Sequence, residues 1–279
     1  MNDVTELRGL KLGVLNMTKP KATRNAWDVP GHIPSTPYRI RIVRTPAQLD
    51  RAVQVRVNAY SQKLQSLADK VRKPGALDFE HDPTILIAEN IDTGNAIGTL
   101  RLNTGPDVLD LMSDIQLPIE VTSNRTAFVS RMAIVGSVRE KIAVRNLIQK
   151  AVFQICVAKQ VPKVLLLAVS PRERLFFPWG FEDVFADGKP RHPDFMDKFP
   201  VRALVSETYA LERKWRATKS PLHEYVFGTF HPEIEVFSSL SSTSHRLSDQ
   251  STPSARNHPN RDAQGSQLGE RTVAGRPSH

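Results

Sequence analysis

Residues alternate between apolar and polar from Tyr38 to Val43, which is the pattern of a half-buried β-strand. Thr45 follows, with a proline directly after it and Gln48 three residues on, and this spacing predicts a helix N-terminus with a capping box. Apolar residues then recur at intervals of three and four positions. They predict a first helix from Pro46 to Ser66.

Two β-rich runs come next, from Thr84 to Ala88 and from Ala96 to Leu102, with the turn-forming residues 92–95 between them. Two such runs around a turn that contains glycine predict a β-hairpin. Apolar and β-branched residues are again frequent from Thr126 to Val135, and we expect another strand there.

The second half of the chain begins with a helix near Arg139 that has one apolar face. This face carries Val144, Leu147, Ile148, Ala151, Val152 and Ile155. The continuous apolar run Lys163–Val169 predicts a strand buried on both sides, in a parallel part of the sheet. Residues Ser170–Glu173 repeat the capping-box spacing, and their helix should end by Phe177 because a proline follows. A last strand is predicted from Leu204 to Leu211.

This order of elements predicts a mixed α/β fold, with a mainly antiparallel central sheet and helices on both faces. We expect one domain over 37–237. Residues 1–36 before it are basic and irregular and form an N-terminal arm. Residues 238–279 after it are poor in large apolar side chains, so we expect a disordered polar tail.

Composition narrows the class of protein. Hydrophobic residues make up 40% of the 279 residues, and no apolar run approaches the length of a membrane span. The single cysteine, Cys156, lies among apolar residues, and we interpret it as a small buried hydrophobe in a reducing compartment, the cytoplasm. The formal net charge of +9 suits nucleic acid, anionic lipid or an acidic protein partner equally. Zinc-finger spacings, other metal-ligand spacings and nucleic-acid recognition motifs are missing from the sequence, so we expect no metal and no specific nucleic acid.

Four short motifs occur in a fixed order along the patterned region. They are Arg56-Val57-Asn58-Ala59-Tyr60, Leu77-Asp78-Phe79-Glu80-His81-Asp82, Ile97-Gly98-Thr99-Leu100-Arg101 and Ser130-Arg131-Met132-Ala133-Ile134. Together with Trp179-Gly180-Phe181 they resemble segments of the GNAT-like acyltransferases, in the branch of acyl-homoserine-lactone synthases and long-chain N-acyl amino acid synthases. The resemblance covers 38–211. It implies a GNAT-like fold and an N-acyltransferase that moves a fatty acyl group from an acyl carrier protein thioester to the amine of an amino acid or similar small acceptor.

Such a reaction needs a deprotonated amine and a polarised thioester carbonyl. We interpret Glu80 as the general base or amine-binding carboxylate, with Asp82 orienting the acceptor or an arginine; a solvated acidic loop is the alternative. Arg101 and Arg131 lie inside strand patterns, where an inward-facing arginine needs a carboxylate partner. We expect them to fix the two acids and to bind an acceptor carboxylate, unless they face outward. Arg56 on the first helix either joins this network or faces outward.

Further residues are expected to bind the substrates. They are Arg56, Tyr60, Met132, Ala133, Ile134, Phe176 and Trp179. A free backbone N–H on the central strand near Arg131 would stabilise the tetrahedral oxyanion. The apolar segment 175–179 either lines an acyl tunnel or belongs to the ordinary core.

Departures from the family pattern favour a carrier protein as donor. Ile142 and Val144 stand where CoA-dependent members have glycines that admit the pyrophosphate. An acyl carrier protein brings only a phosphopantetheine arm. A group of basic residues at the starts of two predicted helices would steer an acidic carrier protein, or is ordinary surface charge. The group consists of Arg139, Lys141, Arg145, Arg172 and Arg174.

Two further departures leave the acceptor open. Phe128 stands where the synthases often have glutamate, and Phe176 where many acetyltransferases have the tyrosine that protonates the leaving thiolate. The alternatives are a CoA-dependent short-chain N-acetyltransferase and a degenerate, non-enzymatic binding protein. We expect no tightly bound cofactor, since the acyl-phosphopantetheine thioester, on carrier protein or on CoA, is a substrate. Peripheral contact with an anionic membrane is also expected from the charge.

Overall fold

The computed structural model describes residues 36–237, except 63, 106–113, 123–124 and 197–198. The predicted arm, apart from Thr36, and the predicted tail lie outside the described residues. The strands are β1 (Tyr38–Ile42), β2 (Pro83–Asn90), β3 (Ala96–Asn103), β4 (Thr126–Ile134), β5 (Lys163–Val169), β6 (Glu182–Asp183), β7 (Val201–Glu207) and β8 (Ile234–Glu235). The helices are α1 (Pro46–Tyr60), α2 (Gln65–Lys70), α3 (Val138–Ala158), α4 (Leu211–Ala217) and α5 (Pro221–His223).

These strands form one sheet in the order β6-β7-β5-β4-β3-β2-β1-β8. Within this described sheet, β4–β5 and β1–β8 are parallel pairs, and the other neighbours are antiparallel. The helix α3 covers one face with the apolar residues predicted for it, which pack on alternate residues of β1 to β5. The helix α1 packs on the other face, against Ile85 and Ile87 of β2. The expected mixed, mainly antiparallel sheet with helices on both faces is confirmed.

A gap opens between the parallel neighbours β4 and β5. Pairing of β4 with β5 ends where Val129 stands opposite Leu166. Beyond this pair β4 continues to Ile134 and β5 continues to Val169. The carboxyl-terminal halves of the two strands therefore have backbone groups that do not bond to each other across the sheet.

A β-bulge marks the same level on the other side of β4. The register between β3 and β4 shifts between Thr99 and Arg101, and Arg131 has a φ of 55°. This left-handed conformation costs a residue with a side chain on the order of 1–3 kcal/mol. A bulge bends its strand and re-aims the side chain, so Arg131 is directed by backbone geometry rather than by regular alternation.

The first helix is shorter than predicted. The capping box at Thr45 forms, with Gln48 bonded to the cap in both directions, but α1 ends at Tyr60 instead of 66. Leu64 has φ −138° and ψ 60°, and it is buried in the same apolar cluster as Tyr60 and Leu67. The helical spacing of apolar residues continues past Tyr60 because α2 packs on the same cluster. The periodicity therefore did not show that one helix ends and another begins there.

Two expectations for the second half were wrong in detail. Ser170 does not cap a helix: its hydroxyl donates to the Glu173 carboxylate, and the chain forms two short 3₁₀ turns over 172–179. The last predicted strand lies earlier, since β7 ends at Glu207. Leu211 instead begins α4, where it is buried with Trp179 and Trp215. Cys156 is fully buried as expected, and burial raises the pKa of its thiol to about 12.

Candidate active site

The gap between β4 and β5 opens into a cavity of about 200 Å³. Its walls come from α1, α2, the central strands and the turn after β5. Six residues that the sequence predicted as functional lie in these walls. They are Tyr60, Arg101, Arg131, Met132, Arg172 and Phe176. The cavity is thus polar and basic near the bulge in β4 and apolar on its other side.

A buried ion network stands behind this cavity. Arg56 Nη1 donates to Asp78 Oδ2 at 2.9 Å, and Arg101 Nη1 donates to Asp78 Oδ1 at 3.2 Å. The Gly75 backbone N–H also donates to Oδ2, at 3.0 Å. The side chains of both arginines and of Asp78 are at most 4% exposed. An arginine network with the acidic segment exists, but it joins Arg56 and Arg101, not Arg131, and its acid is Asp78. We call Arg56, Arg101 and Asp78 the inner cluster.

The inner cluster is held in its charged form. Burial alone raises the pKa of Asp78, but the hydrogen bond and charge of Arg56, then the charge of Arg101, bring that pKa below its ordinary value. Burial lowers the pKa of Arg101 to about 10, and Asp78 opposes this shift. Arg101 therefore stays cationic at neutral pH. Its Nε also donates to the Ser130 hydroxyl at 3.0 Å, which links the cluster to β4.

Arg131 faces the same cavity but differs from Arg101 in its partners. It is half-buried, and it makes no salt bridge or side-chain hydrogen bond with the described residues. Burial lowers the pKa of Arg131, and the nearby Tyr60 and Asp78 act in the opposite direction. Tyr60 is buried beside it, with its hydroxyl 3.5 Å from the Met132 carbonyl. An arginine in this state is available to an anionic group of a ligand.

Glu80 and Asp82 lie apart from the cavity. Glu80 is exposed, and Asp82 binds Lys159 at 2.8 Å and the Thr104 hydroxyl at 2.5 Å. We call these last three residues the outer cluster. The expected convergence of Glu80 and Asp82 with Arg101 and Arg131 is therefore corrected, because a 3₁₀ turn at 76–78 directs Asp78 inward. The chain then passes through two residues with positive φ, 81 and 82, before β2 begins.

Sequence reasoning missed the role of Asp78 although the residue lies inside one of the recognised motifs. A signal was present: Arg56 and Arg101 both fell in apolar patterns, and two inward arginines need an acid near each. Spacing within the acidic segment does not say which of its three carboxylates turns inward. The turn geometry made that choice.

Besides Arg56 of the inner cluster, three predicted substrate-binding residues lie outside the wall of this cavity. Ala133 is buried in the apolar cluster around Tyr60, and Ile134 packs on the main core. Trp179 lines a second, smaller cavity that adjoins the first. Met132 and Phe176 line both cavities, so the two spaces share a wall at the gap.

The predicted donor side lies at the edge where β4 and β5 end. Arg139, Arg172 and Arg174 are exposed, and Lys141 and Arg145 are partly buried. At the start of α3, the Ser137 backbone N–H donates to Glu140 Oε2 at 2.7 Å, and Ser137 Oγ accepts from the Glu140 N–H. These bonds with Ser137 lower the pKa of Glu140. The Glu140 carboxylate thus occupies the N-terminus of α3, the end of the helix dipole that attracts anions.

The described residues include no group of three or more His, Cys, Asp or Glu side chains arranged to hold a metal ion. Within the same part of the chain, every helix is too short or too polar to cross a membrane.

Among solved structures, this chain is similar to GNAT-like acyltransferases. No protein-family model and no curated protein matches the chain. Solved structures do match. FeeM, an N-acyl amino acid synthase from uncultured soil microbes, aligns over 67% of this chain and 99% of its own, with 14% identity and a TM-score of 0.47.

Two further solved structures are also similar, and the first is an acyl-homoserine lactone synthase. BjaI, a CoA-dependent enzyme bound to SAM and isopentyl-CoA, aligns over 66% of this chain and 90% of its own, at 15% identity and a TM-score of 0.48. TofI, in a complex with an inhibitor and MTA, aligns over 63% and 94%, at 17% identity and a TM-score of 0.47. The donors and acceptors are those of the named proteins.

Proposed function

We propose that this protein is an N-acyltransferase that moves a fatty acyl group from a carrier thioester to the amine of a small acceptor bearing a carboxylate. One observation carries the proposal: the gap between β4 and β5 leads to a basic cavity on one side and an apolar cavity on the other, with Met132 and Phe176 in both walls. A thioester placed in the gap would direct its acyl chain to the apolar side and meet the acceptor on the basic side.

The gap supplies the oxyanion stabilisation that acyl transfer requires. Past Val129, the backbone of β4 no longer pairs with β5, so an N–H group near Arg131 can donate to the thioester oxygen as it gains charge. The amine attacks the carbonyl carbon and the C–S bond breaks. One amine proton passes to a base, and the thiolate takes up a proton to leave as a thiol, with the amide as product.

Arg131 is proposed to bind the acceptor carboxylate, with Arg172 as a second cation at the cavity wall. Arg101 and Arg56 are proposed to position β3 and α1 around the site, since both are already paired with Asp78. Asp78 does not act as the base, because a carboxylate with a lowered pKa between two arginines is a weak proton acceptor. Glu80 is exposed and lies outside the cavity wall, so it is not proposed as the base.

A carrier protein is proposed as the donor in preference to CoA. The carboxylate of Glu140 at the α3 N-terminus repels a second anion there, and Ile142 in the same part of the helix is exposed. Val144 packs on Gly98 in the main core, so it does not bear on the choice of donor. A CoA donor is the second candidate, because the similar BjaI is CoA-dependent. Thermal stabilisation by acyl-CoA but not by acyl carrier protein would favour this second candidate.

The steering group can be tested by kinetics. Charge reversal at Arg139 and Arg145 should raise the apparent KM for acyl carrier protein at low salt, with kcat unchanged, because encounter rather than chemistry is affected. Reversal at Arg213 on α4, which is exposed like Arg139, is the control. An unaltered KM at low salt would count against steering by this surface.

The reaction itself is tested with purified protein, a panel of long-chain acyl carrier protein and acyl-CoA donors, and amino acids with their carboxamides as acceptors. Mass spectrometry of the products, and of lipid extracts from an expressing host, should detect N-acyl amino acids. Carboxamides should react poorly, since they cannot pair with Arg131. If no thioester is cleaved with any donor and acceptor, the protein is the non-enzymatic alternative.

A further inference from the structure

The second cavity lies deeper in the fold, between the sheet, α3 and α4, and has a volume of about 40 Å³. Most of its wall is apolar, and two tryptophans, Trp179 and Trp215, form part of it. It adjoins the active-site cavity at Met132 and Phe176. A ligand that enters by the gap and extends past these two side chains would reach it.

Three polar side chains interrupt this apolar wall. Gln149 of α3, Ser206 of β7 and Thr208 just after β7 are 7%, 3% and 2% exposed. Both polar atoms of Gln149 and the hydroxyls of Ser206 and Thr208 are buried, and none has a hydrogen-bond partner among the described residues. A buried polar group without a partner costs about 1–3 kcal/mol. An apolar chain in this cavity would leave all three in that state.

The position of these groups fits the outer part of an acyl chain. Ser206 stands opposite Val164 on β5, two residues before the level of Leu166 where the gap begins. Two strand residues span roughly 7 Å. Ser206 is therefore several bonds away from a thioester held in the gap.

The chemistry of the wall restricts the ligand to a neutral oxygen. None of the described residues that line this cavity is charged. The neighbouring Lys150 turns away from it and donates to the backbone carbonyls of Tyr225 and Thr229. An ionised carboxylate would have no counter-charge there. A hydroxyl can both donate to the amide oxygen of Gln149 and accept from a serine or threonine hydroxyl.

We propose that Gln149, Ser206 and Thr208 select acyl chains that carry a neutral oxygen, a hydroxyl or keto group, on their outer part. This inference rests on the proposed acyltransferase function and names the class of acyl donor. The three side chains act in specificity: they bind the oxygen and do not take part in the transfer. A plain saturated chain is the disfavoured donor.

The test measures binding without turnover. Intrinsic tryptophan fluorescence should report occupancy, since Trp179 and Trp215 line the cavity. The probes are a saturated long-chain fatty acid and its analogues hydroxylated at mid-chain and at the terminal carbon. At least one hydroxylated probe should bind about tenfold more tightly than the saturated one, the ratio that one additional hydrogen bond supplies.

Variants assign the preference to these residues. Gln149→Leu and the double change Ser206→Ala with Thr208→Val should bring the affinity ratio close to one or reverse it. Thr126→Val is the matched control, because it also removes a buried hydroxyl without a described partner, at a position outside both cavity walls. It should leave the ratio unchanged.

Equal binding of hydroxylated and saturated probes, or a ratio unaffected by the variants, would overturn the inference; the polar groups would then hold ordered water. Absence of any fluorescence response to either probe would overturn it as well. The same probes are run as thioesters in the transfer assay. Preserved discrimination in binding with no transfer at all would reject the proposed function separately, so the two failures are distinguishable.

Discussion

Two acidic residues four positions apart in one short segment have opposite fates. Asp78, in the inner cluster, is buried and bonded to two arginines. Asp82, in the outer cluster, has a side chain 57% exposed and bonds to Lys159 and Thr104 at the surface. The pattern of charges in a segment therefore does not show which carboxylate is buried with the arginines. That is decided by the 3₁₀ turn, which directs Asp78 into the fold.

The largest expected effect concerns stability. Asp78→Asn should lower the free energy of unfolding by about 3–5 kcal/mol, because it leaves Arg56 and Arg101 buried without a counter-charge. Urea denaturation followed by circular dichroism measures this loss. Asp82→Asn is the matched control in the same segment. A loss below about 1 kcal/mol for Asp78→Asn would mean that the inner cluster is not a strong constraint on the fold.

Arg131 and Arg101 give the same comparison for cations. Both line one cavity, but only Arg101 is paired with an acid among the described residues. Arg131→Met should reduce kcat/KM about tenfold to a hundredfold, the value of one charge-assisted hydrogen bond to the acceptor. Its unfolding free energy should change by less than about 1 kcal/mol.

Arg125→Met, at an exposed position just before β4, is the control for this change. It should leave kcat/KM unaltered. Equal activity of the Arg131 variant and the control with a carboxylate acceptor would remove Arg131 from the binding site.

Acid titration tests the same contrast in solution. The folded-state pKa of Asp78 is lowered, so its contribution is complete above the unfolded value of about 3.9 and is lost as pH falls through the folded value. The lowered pKa of Asp82, bonded to Lys159 and Thr104, has the same sign, but exposure weakens its share. Asp78→Asn should flatten the acid limb of the stability curve more than Asp82→Asn does. Equal flattening would contradict the difference in burial.

The smallest effect is expected in the outer cluster. Lys159→Met and Asp82→Asn should each change the unfolding free energy by less than about 1 kcal/mol, because exposed ion pairs are screened by water. The double variant should differ little from either single one, as measured by a urea double-mutant cycle. A coupling energy well above this limit would show that the outer cluster is more rigid than its exposure indicates.

Local patterns predicted much of the fold. The capping box at Thr45, the hairpin of β2 and β3, the buried face of α3 and the continuous apolar strand β5 all follow from spacings within about twenty residues. Such signals are readable because hydrogen bonds and side-chain periodicity within one element depend on near neighbours in sequence. Arg101 and Arg131 were predicted for the same reason, as charged residues inside apolar strand patterns.

The sequence by itself therefore determined the elements, their apolar faces and the arginines that had to be reconciled with burial. Only the tertiary structure decided that Asp78 is the counter-ion of Arg56 and Arg101, that Arg131 stands on a bulge, and that three polar side chains from α3 and the β7 region meet in one apolar cavity. These features join residues more than twenty positions apart. Sequence distance carries no information about such contacts, because they arise when separate elements pack against each other and their buried polar groups must be satisfied together.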